Sequence, residues 1–411
     1  MLYAMLTAIP QLIDRIVSGR LLDAAAQHGE TVNPPIVTFV GGIIAAALVC
    51  ASLVVLGRGL RHALLYPPPL TTAMLAILLS IGVFHHFAGV NWQYVVVSLV
   101  AFAALSTLNP DLQDLRIFAH VGAFIAAGSI LFGQISADAY RYKTLEAVQT
   151  KAIIGHGVLA GPYPSSNNLG MGMAMALPFA FLIRNHAVRR VEIALMALAL
   201  VLSASRSSLI AIGVAVFAVL VLRGLRSDHE RAAFYWFGMA TTGIISLILP
   251  WLVNSPSLFT GRGAIWMASR QLVRANPLAG VGETAYFPNG AVQAITGTTA
   301  AAGHNILLHY WVVGGFVGFV AMAALLIGIM RAGRWSPASS LVPGAFVFVL
   351  LALSIDEMPL HPETVVGEAW IAVPAIAVLL TAARKQREGR GQLAPAPAEP
   401  IARGDSLALK R

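Results

Sequence analysis

The chain is short of charge. Only 11% of its 411 residues are Asp, Glu, Lys or Arg, where soluble globular proteins carry roughly 25%. With 57% hydrophobic residues and repeated apolar runs near the ~20 residues that cross a bilayer, this excludes an ordinary soluble enzyme. Cysteine is almost absent: the single Cys50 allows no disulfide within the chain and no cysteine metal site. No Asp/Glu/His set has convincing metal-ligand spacing, so no metal is expected. No nucleotide-binding motif occurs either, so no nucleotide cofactor is expected. The N-terminus lacks a basic leader region, and Asp14 and Arg15 interrupt its apolar pattern, so it does not read as a signal peptide. The net charge of +9 does not call for nucleic acid, because Lys and Arg collect in the cytoplasmic loops of membrane proteins.

What is present is a series of apolar runs near 36–56, 70–89, 92–108, 116–135, 168–183, 191–204, 207–222, 233–253, 305–330, 341–355 and 365–383. Basic loops recur at Arg58/Arg61, Arg184/Arg189/Arg190, Arg223/Arg226/Arg231, Arg331/Arg334 and Arg384/Lys385/Arg387, which places those loops in the cytoplasm. The acidic loop 109–115 departs from the trend, but alternation puts it on the same side. Parity then leaves two choices for the N-terminus. Either residues 1–30 lie outside, or Leu2–Val17 is a short extra span; the second is favoured. The expected fold is an all-α polytopic membrane protein of about twelve transmembrane helices. Residues 1–383 form one domain that includes an outer loop at 254–303, and the basic, Ala/Pro-rich tail 384–411 reads as a disordered cytoplasmic segment.

The stretch LSASRSSLIA, residues 202–211, interrupts a long apolar run. Basic loops flank that run on both sides, so a hairpin fits better than one helix. Its arms of about 13–15 residues would reach roughly 20–23 Å, less than a ~30 Å hydrocarbon core. The tip, with Arg206 among serines, is therefore expected in a recess opening outward. A cation there needs water, a partner or an anionic ligand; the competing reading is a snorkelling anchor.

Two outer segments are long. Ser136 to Asn167 is rich in Gly, Pro, Ser and Asn, and Asn167 or Asn168 reads as a helix cap. Asn254 to Gly303 carries Arg262, Arg270 and Arg274 against the one acid Glu283, which opposes the positive-inside tendency. Residues 265–274 read as an amphipathic helix in the membrane interface, stopped by Pro277. Headgroup contact is the favoured reading for Arg270 and Arg274, while Arg262 lies between two glycines where backbone can approach a ligand. His304 and Asn305 open the next span. His304 is a candidate general base because histidine ordinarily titrates near neutrality, and His309, one turn deeper, reads as a packed residue. Asp356, Glu357, His361 and Glu363 form an outer polar cluster that suits acceptor contact or a solvated loop, and the solvated loop is the favoured reading.

Arg206, Arg262 and His304 thus come from three segments on one face. Two fixed cations beside a base suit transfer from an anionic leaving group to a hydroxyl, and the setting suggests a lipid-linked diphosphate donor. The segments SASRSSL, GRGAIW…NPLAGVG and GHNILLHYWVVGGFVG together resemble the O-antigen ligase/polymerase family, over roughly Gly161 to Gly318 by motif. GPYPSSNNLG resembles that family's segment before a span, with Asn167-Asn168 where a Pro-Asn pair is more usual. The resemblance implies a lipid-sugar glycosyltransferase (GT-C-like) fold in the bacterial inner membrane with a periplasmic active site. It implies metal-independent, inverting transfer of a glycan from undecaprenyl diphosphate onto lipid A–core. Carried over by motif, Arg206 and Arg262 would bind the diphosphate and His304 would act as base, with Arg270, Arg274 and Asn305 as secondary candidates. Polymerase, protein O-oligosaccharyltransferase and, from another class, lipid-glycan flippase or transporter remain open alternatives.

Overall fold

The computed structural model describes residues 35–65, 110–141, 151–155, 157–163, 165–286, 289–297, 300, 302–334, 341–360 and 373–382, together with scattered positions within 9–16 and 100–108. The expected span at 70–89, most of those at 2–17 and 92–108, the tail 384–411, and His361 and Glu363 lie outside the described residues.

The described chain is a helical bundle. Its principal helices are α1 (Pro35–Leu65), α2 (Arg116–Ile135), α3 (Ser166–Ala176), α4 (His186–Ser203), α5 (Arg206–Gly224), α6 (Asp228–Leu252), α7 (Arg262–Ala275), α8 (Ala291–Thr296), α9 (Ile306–Arg334) and α10 (Val342–Leu353), with a last apolar helix, α11, at Val373–Ala382. Five helices among the described residues are long and apolar enough to cross a membrane: Pro35–Gly59, Leu112–Ile135, Arg206–Gly224, Asp228–Leu252 and Ile306–Arg334. The chain is therefore an all-α membrane protein. Among the described residues the strand structure is a short antiparallel pair, Tyr140–Arg141 with Val158–Leu159, inside the loop that reads as turn-rich.

The basic helix ends gather at one end of the bundle. Arg231 at the start of α6 donates to the Leu222 and Leu225 carbonyls closing α5. Tyr235 donates to Met330 O near the end of α9, and Arg334 lies 5.7 Å over the Trp236 ring. Near the start of α4, Glu192 meets His120 of α2 at 2.6 Å. The opposite end collects the α4–α5 break, the start of α7, the start of α9 and the turn after α10.

The break falls where the serines predict it. Ala204 takes a left-handed φ of 50° and ends α4, and Arg206 opens α5. The arms differ from expectation in two respects. They have 18 and 19 residues, about 27 and 28 Å, so arm length does not hold the tip below a ~30 Å core. They also splay: α4 packs on α2 and α3, while α5 packs on α10 and α3. The serines explain the gap between them. Ser203, Ser205 and Ser208 are fully buried, and a Cβ on Gly170 of α3 would stand 2.4 Å from the Ser205 Cβ and 2.8 Å from the Ser203 Oγ. Small hydroxyl side chains satisfied locally, Ser203 on Leu200 O and Ser205 on Ser208, let α3 wedge under the break.

A second interruption lies in α9 at Gly315, with φ 60° and ψ −156°. The freed carbonyls of Val312 and Val313 accept from Val281 N and Gly282 N at 2.8 and 3.1 Å, and Phe316 N donates to Pro277 O at 2.9 Å. The NPLAGVG loop thus docks backbone to backbone into the break. A Cβ on Gly315 would meet Leu278 O at 2.0 Å, and one on Gly280 would meet Gly315 N at 2.5 Å. Two of the glycine-bearing motifs are therefore halves of one joint.

Candidate functional site

Three separate segments arrive at the end of the bundle away from the basic loops, and each does so through left-handed backbone. Ala204 (φ 50°) precedes Arg206 by two residues, Phe259, Thr260 and Gly261 (φ 53°, 60° and 89°) lead into Arg262, and His304 itself has φ 48°. Such conformations cost non-glycine residues about 1–2 kcal/mol each and persist only where surrounding contacts impose them.

Those contacts are specific at His304. Trp266 of α7 donates to Gly303 O at 3.0 Å, and Gly303 N donates to His309 Nδ1 at 3.1 Å. Asn305 is fully buried and works on both sides of the turn. Its Oδ1 caps α9 by accepting from Leu308 N, while its Nδ2 donates to Ser246 O and Ile355 O at 2.8 and 2.9 Å. Asn305 therefore ties the His304 turn to the turn after α10. His309 packs against Tyr286, ring centroids 5.0 Å apart, as its depth predicts.

The turn after α10 carries the residues that sequence reasoning missed. Asp356 and Glu357 read as a solvated loop, yet the Glu357 side chain is 5% exposed and that of Asp356 18%. Arg262 is the reason. Its Nη1 donates to Asp356 Oδ2 at 2.6 Å and its Nη2 to Glu357 Oε1. Ser207, next to Arg206, donates to the same Asp356 oxygen at 2.7 Å and lies 3.4 Å from Arg262 Nη1. Glu357 Oε2 faces His304 Nδ1 at 3.7 Å, just beyond hydrogen-bond length. Nδ1 is itself buried without a hydrogen-bond partner, while the His304 side chain is 27% exposed, so the exposed edge of the ring is the one away from Glu357. The carboxylate pair is thus the hub that joins the SASRSS, GRG and GHN segments. A signal did exist in the sequence: three outer arginines against one acid demanded counter-charges, and the adjacent Asp356-Glu357 pair closes an apolar run.

The hub sets its own electrostatics. Burial alone would raise Glu357, but the Arg262 guanidinium, and then His304, outweigh it and hold the carboxyl below the usual carboxylate range. Asp356 goes the other way. Its burial exceeds the pull of Arg262, and repulsion from Glu357 adds to the rise.

Arg206 is exposed at the first residue of α5, and its neighbour Ser207 bonds into the hub. Arg274 is exposed near the end of α7. Arg270 corrects the expectation of headgroup contact. It is buried, with donors on the Trp251 and Val253 carbonyls at 2.7 and 2.9 Å and on Asn254 Oδ1, closing the C-terminus of α6. The helix dipole and the unmet carbonyls there suit a cation. The α7 helix correspondingly seats Ile265, Trp266, Ala268 and Val273 in an apolar cluster with Tyr286, Val292 and Val313. Its buried face is wider than the wheel suggests, and it ends at Ala275, ahead of Pro277, as expected. Arg270→Ala should lower unfolding stability by about 2–3 kcal/mol, the scale of lost charge-assisted hydrogen bonds, while Arg274→Ala should be close to neutral. Thermal unfolding of both purified variants in detergent checks this, and equal melting temperatures would refute the capping role.

Among the described residues no group of three or more His, Cys, Asp or Glu is placed to hold a metal ion. Residues 193–323 match the family model described as O-Antigen ligase. Over that segment the chain is similar to the O-antigen ligase family. Members of this family are glycosyltransferase-like enzymes that act on lipid-linked glycans. No curated protein matches the chain. The segment matched to the family holds Arg206, Arg262 and His304, whereas Asp356 and Glu357, like Lys151 and Asn167 of the first outer loop, lie outside it.

Proposed function

We propose that this protein is an O-antigen ligase of the bacterial inner membrane, with about twelve spans, a GT-C-like fold, one domain over 1–383 that includes the outer loop 254–303, and an active site on the periplasmic side. The donor is a glycan on undecaprenyl diphosphate and the acceptor a sugar hydroxyl of lipid A–core. The observation that carries the reading is the convergence of three strained segments on one buried carboxylate pair, with His304 directed to it by Nδ1. A base oriented in this way has its Nε2 available. In the reaction the acceptor hydroxyl gives its proton to His304 as its oxygen bonds the anomeric carbon. The bond from that carbon to the diphosphate oxygen breaks with its electron pair, the lipid diphosphate leaves as an anion, and the anomeric centre inverts. Arg206, exposed at a helix N-terminus, meets the diphosphate through its planar fork. Arg262, fixed by Asp356 and Glu357, adds positive charge from behind.

A transporter would use unwound backbone at a broken helix to bind its cargo. The break at Gly315 has its carbonyls occupied by Val281 and Gly282, which favours the enzyme reading. Ligase and polymerase differ in acceptor, and a deletion strain separates them. Loss of all long chains from lipid A–core with lipid-linked polymer accumulating means ligase; a core bearing one repeat unit means polymerase. Purified enzyme given the lipid-linked donor and lipid A–core should keep its activity in chelator, because arginines supply the leaving-group electrostatics. Arg206→Ala should weaken donor binding, and Arg206→Lys should be impaired as well, since it keeps the charge and loses the fork. A strict need for magnesium or manganese, or unchanged donor binding in Arg206→Ala, would sink the assignment.

A further inference from the structure

Beyond the hub lies a link to the first outer loop. Lys151 Nζ donates to Asn167 Oδ1 at 2.6 Å, and Asn167 Nδ2 donates to Glu357 Oε1 at 3.0 Å. Asn167 reads from sequence as a helix cap, but Ser165 caps α3, accepting from Asn167 N at 3.2 Å. The Asn167 side chain is turned instead to the carboxylate, 190 residues away in sequence. An amide can face a neighbour with either its oxygen or its nitrogen. As a carboxylate Glu357 can only accept, and Lys151 can only donate, so the two fix the amide in the same sense, oxygen to Lys151 and N–H to Glu357. Without Lys151 the amide loses the contact that anchors its oxygen end.

We propose that Lys151 and Asn167 are positioning residues of the transfer reaction, holding Glu357 by Oε1 so that Oε2 stays directed at His304 Nδ1. This rests on His304 being the base. Arg262 and Asn167 share Oε1 of Glu357, which leaves Oε2 to the imidazole. Of the other cations on the elements around the hub, Arg270 is engaged on the α6 carbonyls, and Arg206 and Arg274 are exposed residues.

The test uses the full-length protein in detergent or nanodiscs with undecaprenyl-diphosphate-linked glycan as donor and lipid A–core as acceptor. Lys151→Met should lower kcat by about 10-fold, a part of the ~10²–10⁴ that a general base supplies, with the KM for donor little changed. The acidic limb of its pH–rate profile should move to higher pH, since loss of a nearby cation favours protonation of Glu357. Lys151→Arg should restore most of the rate and the wild-type profile, and Asn167→Leu should reproduce the Lys151→Met behaviour. His304→Ala separates the two readings. If His304→Ala is inactive while well-folded Lys151→Met keeps the wild-type kcat and pH profile, the relay is wrong and the base assignment stands. If His304→Ala transfers normally, the underlying mechanism fails. If Lys151→Met loses rate with an unmoved pH profile, or Lys151→Arg fails to rescue it, the positioning role is overturned in favour of a merely structural one.

Discussion

His304→Ala should slow glycan transfer by about 10²–10⁴, the usual contribution of a general base, and leave donor binding largely intact. The split comes from the geometry. His304 faces Glu357 with Nδ1 and in the proposed mechanism serves the acceptor hydroxyl, whereas the diphosphate is an anion that binds to cations. The substitution should also be tolerated by the fold. Alanine at φ 48° is still strained by about 1–2 kcal/mol, but the turn is held by Trp266, His309 and Asn305 rather than by the imidazole. Glu357 should become easier to protonate, having lost a neighbour that holds it down, but Arg262 remains. Transfer and direct donor binding measured on the same well-folded preparation decide the matter. A near-normal turnover would remove the base from the mechanism, and a matching loss of binding would make His304 a donor ligand instead.

Arg262→Ala should be the most damaging single change in the hub, and for two reasons at once. Its side chain is 11% exposed and that of Glu357 5%. Removing one partner of a buried ion pair leaves the other charge uncompensated, at a cost of about 3–5 kcal/mol. Here two carboxylates lose their shared cation. Donor binding should fall as well, because the positive charge behind the leaving diphosphate is gone. A double substitution separates the effects. Arg262→Ala combined with Glu357→Gln removes the stranded charge, so it should recover much of the lost stability without recovering transfer. The thermodynamic cycle isolates their coupling, and additive losses of stability would show that the pair is not energetically joined. Full transfer by Arg262→Ala would remove its place in the donor site.

The sequence by itself determined the features that local physics sets. Apolar run lengths gave the helices: the run at 116–135 is α2 residue for residue, that at 207–222 becomes α5 (Arg206–Gly224), and that at 233–253 becomes α6 (Asp228–Leu252), which starts earlier than the run. The serine-rich interruption in the run from 191 to 222 gave the break at Ala204, because polar residues that can bond their own backbone end apolar helices. Three motif residues, Arg206, Arg262 and His304, stood out in the sequence as candidates because a chain that avoids charge does not place arginines between apolar runs without cause. The tertiary structure alone decided which charges meet. Asp356 lies 94 residues from Arg262, and Asn167 lies 190 from Glu357, distances over which no periodicity or spacing rule carries information. It also reversed the roles of two residues whose places along the chain were known. Arg270 faces inward because the α6 carbonyls it closes arrive from another element, and Glu357 is buried because Arg262 offsets the cost of taking its charge out of water. Helices and their ends are set by neighbours in sequence, while the burial of a charge is set by the partner that the fold brings to it.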